Sequence, residues 1–238
     1  MSGRSRPVVA IDGPAGAGKS TVTRLVAERL GYLLVDTGAL YRSVALAAER
    51  AGLAWSDTPA VTALAEQLEQ SGGVVLERSS EGALRVLVNG EDVSQAIRTL
   101  AMGQGASQVS SIPGVRRALL GLQRAAGIEG GVVLEGRDIG TVVFPDAEAK
   151  FFLTASVDVR ARRRFEELVA SGQTPSFDEV RREVRERDER DSTRPIAPLR
   201  RATDAIEVDS STLSIDAVVE RIVAHVRTVE RRMTGSPP

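Results

Sequence analysis

Apolar residues follow two patterns along the 238 positions: short unbroken runs, and longer stretches in which they recur every three or four residues. The runs at 7–11 (PVVAI), 32–35 (YLLV), 132–134 (VVL), 151–153 (FFL) and 205–208 (AIEV) have the length of buried strands. The periodic stretches predict helices reaching about Leu30, over 39–51, 58–68 and 115–126, from about Val157 through Leu168, and over 215–230, the last capped by Ser214. Strand and helix alternate, which predicts a parallel sheet covered by helices on both faces. Residues 72–89 change character: Val74–Leu76 and Leu84–Val88 read as short strands around a Ser79-Ser-Glu-Gly turn, with Asn89-Gly90 as a hairpin signal. A small antiparallel insertion is expected there. A helix or two follows around Ile97, Leu100 and Met102 before the break at 110–113.

Residues 177–194 mix both signs of charge and hold almost no large apolar side chain, so the segment is not expected to form core. It reads either as a helix laced with i,i+4 ion pairs, Glu183 with Arg187 for example, or as a mobile lid whose arginines close over phosphates. Pro195 and Pro198 end it. Residues 1–6 and the tail beyond Arg232 are expected to fray.

Composition narrows the function more than the fold. Hydrophobic residues make up 42% of the chain, enough for a substantial core. The 31 basic and 32 acidic residues leave a formal charge of -1, so no global basic field gathers nucleic acid, and 3% aromatics supply little for base stacking. The lack of cysteine excludes disulfides and a cysteine zinc site. No leader-like segment and no run near 18 apolar residues is seen, so a soluble cytoplasmic protein is expected, with neither membrane nor nucleic acid as partner. Only Lys19 and Lys150 are lysines.

Lys19 stands in IDGPAGAGKST, residues 11–21. Gly13, Gly18, Lys19 and Ser20 complete G-x-x-x-x-G-K-[ST] between a strand and a helix, the context in which the pattern has a mechanism. Gly13, Gly16 and Gly18, with Ala15 and Ala17 between them, let backbone amides curl around a polyphosphate, and the new helix, with Thr21 near its start, adds its positive end. Lys19 can reach the terminal phosphates, and Ser20 can offer its hydroxyl to Mg2+. A nucleoside triphosphate is therefore expected, with its fate undecided by the loop.

Other strand ends carry further candidates. Asp36-Thr37-Gly38 follows the second run, with Tyr41 and Arg42 one turn later; these can face a ligand or serve as a cap and a solvated arginine. As a strand-end carboxylate, Asp36 can support water around Mg2+ without touching the metal. Glu135-Gly136-Arg137-Asp138 follows the third run. Arg160, with nearby Arg163 or Arg164, can face adenine or phosphate opposite a loop at 209–213, or form a solvated helix face. Neither D-x-x-G nor N-K-x-D occurs, which sets switch GTPases aside. Arg42, Arg137, Arg187, Arg190 and Arg194 could neutralise two anionic substrates that repel each other, the requirement of a small-molecule kinase. An ionised phosphate acceptor needs no strong general base, so position and electrostatics would carry the rate.

Together IDGPAGAGKST, LLVDTGALYR (33–42), EDVSQAIRT (91–99), ASQVSSIPGVR (106–116), EGRDIGTVVFPDA (135–147) and ERDERDSTRPIAPL (186–199) resemble the bacterial cytidylate kinase family over roughly residues 7–230. The resemblance implies an α/β P-loop NTPase fold: a parallel sheet flanked by helices, a nucleoside-monophosphate-binding insertion with a small antiparallel sheet, and a short lid. The expected parts are core (1–36), monophosphate-binding part (37–106), core (107–170), lid (171–194), and core with tail (195–238). It implies transfer of the γ-phosphate of ATP, with Mg2+, to CMP or dCMP by a monomer. Thr37 would hold the acceptor, Arg42, Arg137 and Arg194 its phosphate, Arg187 and Asp191 its ribose, and Ser107, Arg116 and Asp138 the cytosine edge. Two positions depart from the family pattern: Ser20 stands where Gly is common, and Glu135 where Asp is usual. Two alternatives stay open, a kinase of AMP or UMP and a non-catalytic interaction protein controlled by ATP.

Overall fold

The computed structural model describes residues 3–78 and 84–235. The expected turn at 79–82 and the last three residues of the tail lie outside them. In chain order the elements are β1 (Val8–Asp12), α1 (Lys19–Leu30), β2 (Leu33–Asp36), α2 (Thr37–Arg50), α3 (Thr58–Gln70), β3 (Val74–Arg78), β4 (Leu84–Val88) and β5 (Glu91–Asp92). They continue with α4 (Leu100–Val109), α5 (Pro113–Ala125), β6 (Val132–Gly136), β7 (Ala149–Thr154), α6 (Val157–Ala170), α7 (Phe177–Thr193), β8 (Ile206–Asp209) and α8 (Ile215–Thr234). A 3-10 turn spans Ala96–Arg98, and a single π turn spans Ile139–Val143.

The core sheet runs β2-β6-β1-β7-β8, and β3-β4-β5 form the expected antiparallel sheet. β1 pairs in parallel with both β6 and β7, Ile11 lying opposite Glu135 on one side and Phe151 on the other. A strand so flanked is buried on both faces, which is why VVAID shows no apolar-polar alternation and every residue of it is buried. One of its faces packs Val9 and Ile11, with Phe151 and Leu153, against Val22 and Val26 of α1 and the Val218, Val219, Ile222, Val226 stripe of α8. Asn89 and Gly90 both adopt positive φ (49° and 82°), the backbone a tight hairpin needs between β4 and β5.

The chain divides into two compact units, Met1–Leu34 with Gly127–Pro238, and Val35–Ala126. The first holds the phosphate loop, β6 to β8 and α6 to α8. The second has its own core, in which Leu40 and Val44 of α2, Val61, Ala65 and Leu68 of α3, and Val109, Val115 and Leu119 of α4 and α5 are closed by Val74, Val86 and Val88 of the small sheet.

Three expectations need correction. Residues 4–6 do not fray: Arg4 pairs with Asp146 (2.9 Å) and Glu148 (3.0 Å), and Arg6 lies over the Tyr32 ring. Helix α8 continues past Arg232 to Thr234 and stops at Gly235, whose φ of 67° lets its N–H turn back to the carbonyl of Arg231. Helix α7 does contribute core, because Val180 and Val184 fall one turn apart and are both buried, and Phe177 meets Phe165 of α6 edge-on at 5.9 Å. Two small valines at i,i+4 suffice for one buried stripe, and composition averaged over the segment hid them. The Glu183–Arg187 pair is not formed among the described residues; Arg182 and Glu186, 3.9 Å apart, take that spacing instead.

Candidate active site

The phosphate loop joins the end of β1 to α1 with positive φ at Gly13 (154°), Gly16 (75°) and Gly18 (87°). At Gly13 the requirement is also steric, since a Cβ there would overlap the Leu153 carbonyl oxygen of β7. Five other helices, α2, α3, α4, α6 and α8, have a side-chain oxygen on their first N–H groups. Helix α1 begins at Gly18 with none, so its leading donors face the loop. Ala15 and Ala17 give their carbonyls to Arg160 and Ser210, which turns those oxygens away from an anion. Ser20 and Thr21 are exposed at the helix entry.

Lys19 is buried, and its ammonium donates to the carbonyls of Gly13 (2.8 Å) and Pro14 (2.7 Å). Burial, then the positive charges of Arg137 and Arg187, hold it well below the usual lysine range, partly offset by Glu135 and Asp191. Arg187 sits in the same field. Burial and Arg137 push it down to about 10, and its buried Nε has no hydrogen-bond partner. Arg137 itself donates to Asp191 (2.8 Å); burial acts to raise that carboxyl, and the guanidinium overrides it and holds the group low. Cations thus gather beside the uncapped start of α1 with an unbonded guanidinium N–H among them, an environment suited to a polyanion. Arg194 is buried against Asp138, 3.2 Å away, and its Nε donates to the Ala197 carbonyl in the turn after α7.

The two departures from the family pattern touch each other. The Ser20 hydroxyl donates to Glu135 Oε2 at 3.1 Å, across 115 positions of sequence. The extra methylene of Glu135 lets a carboxylate reach a hydroxyl that glycine would not supply. Hydroxyl and carboxylate are hard oxygen donors of the kind Mg2+ takes, so these residues fit the ion.

Arg160 is not the solvated helix-face residue that one reading of its cationic stretch allowed. It is 4% exposed; Nε donates to the Ala155 carbonyl, Nη1 to that of Ala15, and Nη1 and Nη2 together clasp Asp188 of α7 at 2.9 and 2.6 Å. It therefore ties the phosphate loop to α7. Arg163 donates to Ser210, and Arg164 pairs with Glu167. Asp188→Ala is expected to lower stability by about 2–3 kcal/mol, because it strands a buried guanidinium, and denaturant unfolding checks this. A change under about 0.5 kcal/mol would show that water replaces the carboxylate at no loss.

Within the 35–126 unit, Asp36 caps α2 by accepting from the Ala39 N–H and binds Arg42 at 2.6 Å. So Asp36 is both cap and ion-pair partner, and Arg42 is not merely solvated, while its Nε is buried without a hydrogen bond. Thr37 is buried at the first turn of α2. Ser107 Oγ on α4 is buried and unbonded, and Arg116 on α5 lies over the Tyr41 ring and donates to the Ser110 carbonyl. Arg190 is exposed. Sequence reasoning gave no role to Asp12 or Asp188, nor did it find the π turn at Ile139–Val143.

A family model described as cytidylate kinase matches residues 9–228. A cytidylate kinase of Geobacter sulfurreducens is 53% identical over 235 residues, covering 99% of each chain. One of Pelotomaculum thermopropionicum is 50% identical, covering 95% of this chain and 99% of its own. An uncharacterized protein of Eubacterium ventriosum, known from a crystal structure, shares the fold with a TM-score of 0.51 at 12% identity, covering 94% of this chain and 99% of its own. Matched by the family model over nearly its whole length, and about half identical to curated cytidylate kinases along that length, this chain belongs to the cytidylate kinase family.

Proposed function

We infer that the protein transfers the γ-phosphate of ATP to CMP or dCMP, giving ADP and the diphosphate. The observation that carries the reading is the group of Lys19, Arg137 and Arg187 beside an uncapped helix start, in a chain of this family. Ser20 and Glu135 would hold Mg2+, which would supply positive charge to offset that of the phosphates. The N–H groups of the loop and of α1 hold the polyphosphate, and Ser20 with Glu135 provides the oxygens on the metal side. Lys19, Arg137, Arg187 and Arg194 steady the charge that spreads over the moving phosphoryl group.

On the acceptor side, Thr37 and Arg42 are assigned to the monophosphate together with Arg137 and Arg194, and Arg187 and Asp191 to the ribose. Ser107, Arg116 and Asp138 are assigned to cytosine. Its amino group can donate to the hydroxyl and the carboxylate, and its N3 and O2 can accept from the guanidinium. Uracil reverses the first of these contacts by placing a carbonyl where the amino group stood. Asp138→Asn is therefore expected to lower the CMP/UMP ratio of kcat/KM about 10-fold, measured with both acceptors under one set of conditions. A parent-like ratio would mean that Asp138 does not read the base and acts through its ion pair with Arg194 or another neighbour. Residues 171–194 are proposed as the lid, α7 closing through Arg187. No helix among the described residues is long and apolar enough to cross a membrane, and a cytoplasmic location with the protein acting as a monomer is part of the proposal.

The assay that tests the whole reading measures ADP release from Mg-ATP with AMP, CMP, dCMP, UMP and GMP, the product diphosphates being identified by chromatography. Turnover confined to CMP and dCMP, with weak UMP, is expected. Conversion of a different monophosphate would keep the kinase and overturn the roles of Ser107, Arg116 and Asp138.

A further inference from the structure

Asp12 places a carboxylate in a strand that is otherwise apolar, and the phosphate loop has no chemical use for it. It ends β1 immediately before Gly13 and is 4% exposed. Both oxygens are engaged: Oδ1 accepts the Ile139 N–H and Oδ2 the Gly140 N–H, each at 2.8 Å. Those two donors open the π turn at Ile139–Val143, which has no side-chain cap of its own, so without Asp12 they would be buried and unpaired. The backbone of Asp12 is opposite Gly136 in the pairing of β1 with β6. One residue therefore holds the chain on both sides of the dipeptide Arg137-Asp138, at Gly136 through the sheet and at Ile139 and Gly140 through its carboxylate.

We propose that Asp12 is a positioning residue for acceptor recognition, fixing the directions in which Arg137 and Asp138 leave the backbone. The inference rests on the function proposed above, in which those two side chains meet the acceptor. Side-chain chemistry explains the choice of residue. Two consecutive N–H groups require two acceptor oxygens a short fixed distance apart, which a carboxylate supplies; asparagine has one, and would turn an NH2 toward the other donor. Burial pushes the Asp12 carboxyl up to about 6, the two backbone donors and Lys19 acting to lower it and the charge of Asp138 to raise it. A group kept at such a disadvantage is held there by what it binds. A Cβ at Gly140 would stand 3.2 Å from Lys150 Cδ, a tight contact, and 3.5 Å from Asp12 Oδ2, an ordinary one, so a methyl group there presses on the turn from the Lys150 side.

The test compares parent and Asp12→Asn in steady-state kinetics with CMP and UMP, and in equilibrium binding of ATP alone. The variant is expected to show a rise of about 10-fold in KM for CMP and a fall of about 10-fold in the CMP/UMP ratio of kcat/KM. Its Kd for ATP should stay within about twofold, a split that general loosening of the fold would not give. If Asp12→Asn does not fold, Gly140→Ala carries the test by crowding the same turn with the carboxylate intact, and about a threefold change in the same direction is expected. A folded variant with unchanged KM and ratio, or one that loses ATP and CMP equally, overturns the inference. A parent that fails to phosphorylate CMP overturns the proposed function and this inference with it; an active parent matched by its variants overturns this inference alone.

Discussion

Replacing Lys19 with alanine is expected to lower kcat/KM by two to three orders of magnitude while the protein stays folded. The ammonium is the one lysine charge beside the loop, and Gly13 and Pro14 carbonyls hold it at 2.8 and 2.7 Å. Its cation is disfavoured by burial and by Arg137 and Arg187, so an arriving polyphosphate relieves that repulsion as well as receiving a hydrogen bond. Losing a contact made to the phosphoryl group in transfer costs about 3–4 kcal/mol of activation free energy, which at 1.4 kcal/mol per decade gives the stated fall. Removing a buried ammonium that Arg137 and Arg187 repel relieves its desolvation cost, which offsets the loss of the two carbonyl bonds, so little net stability is lost. Steady-state kinetics together with a thermal melt decide the matter. Near-normal turnover in a folded variant would remove Lys19 from the chemistry.

Arg187→Ala is expected to lower kcat about 100-fold with no loss of thermal stability. The two halves of this expectation share a cause. With its Nε buried and unbonded and Arg137 close by, the guanidinium is pushed down to about 10. A cation whose folded pKa lies below its unfolded value makes folding less favourable wherever it is protonated, so the penalty is fully present below about pH 10 and in force at neutrality. Removing the charge relieves that penalty, of order 1–3 kcal/mol, against the modest apolar contact of the side-chain stem. A polyanion such as the phosphate proposed to be transferred would make such a cation favourable. A melting temperature equal to or above the parent's, with slow turnover, is the expected pair of results. A lower melting temperature with unimpaired turnover would make Arg187 a structural residue.

The phosphate loop was legible because its chemistry is local. Three glycines, a lysine and a hydroxyl within eight positions determine the backbone and the donors together, and the apolar run before them and the periodic stretch after them identify strand and helix. The alternation of runs and stripes likewise sufficed for a parallel sheet under helices, and Asn89-Gly90 for a hairpin, since each pattern follows from side-chain periods or a backbone requirement carried by a few neighbouring residues. Helix α7 was misjudged in one respect for the complementary reason. Burying Val180 and Val184 depends on α6 being alongside, and no property of residues 177–194 announces that neighbour.

The partners of the charged groups depended on which strand ends the sheet brings together. Ser20 and Glu135 are neighbours because β1 and β6 lie side by side, though 115 residues separate them in the chain. Asp12 acquires its role from N–H groups 127 and 128 positions away, which the sequence displays only as an acid at the end of an apolar run. Arg160 read either as a residue facing adenine or phosphate or as a solvated arginine, and α7 sets Asp188 against it. The residues, their order and their spacing specify which groups exist and how each short segment folds. Which charge is neutralised, which donor is left over and which turn is held still depend on distances across the sheet, because electrostatic and hydrogen-bond energies fall steeply with separation in space and are indifferent to separation in sequence.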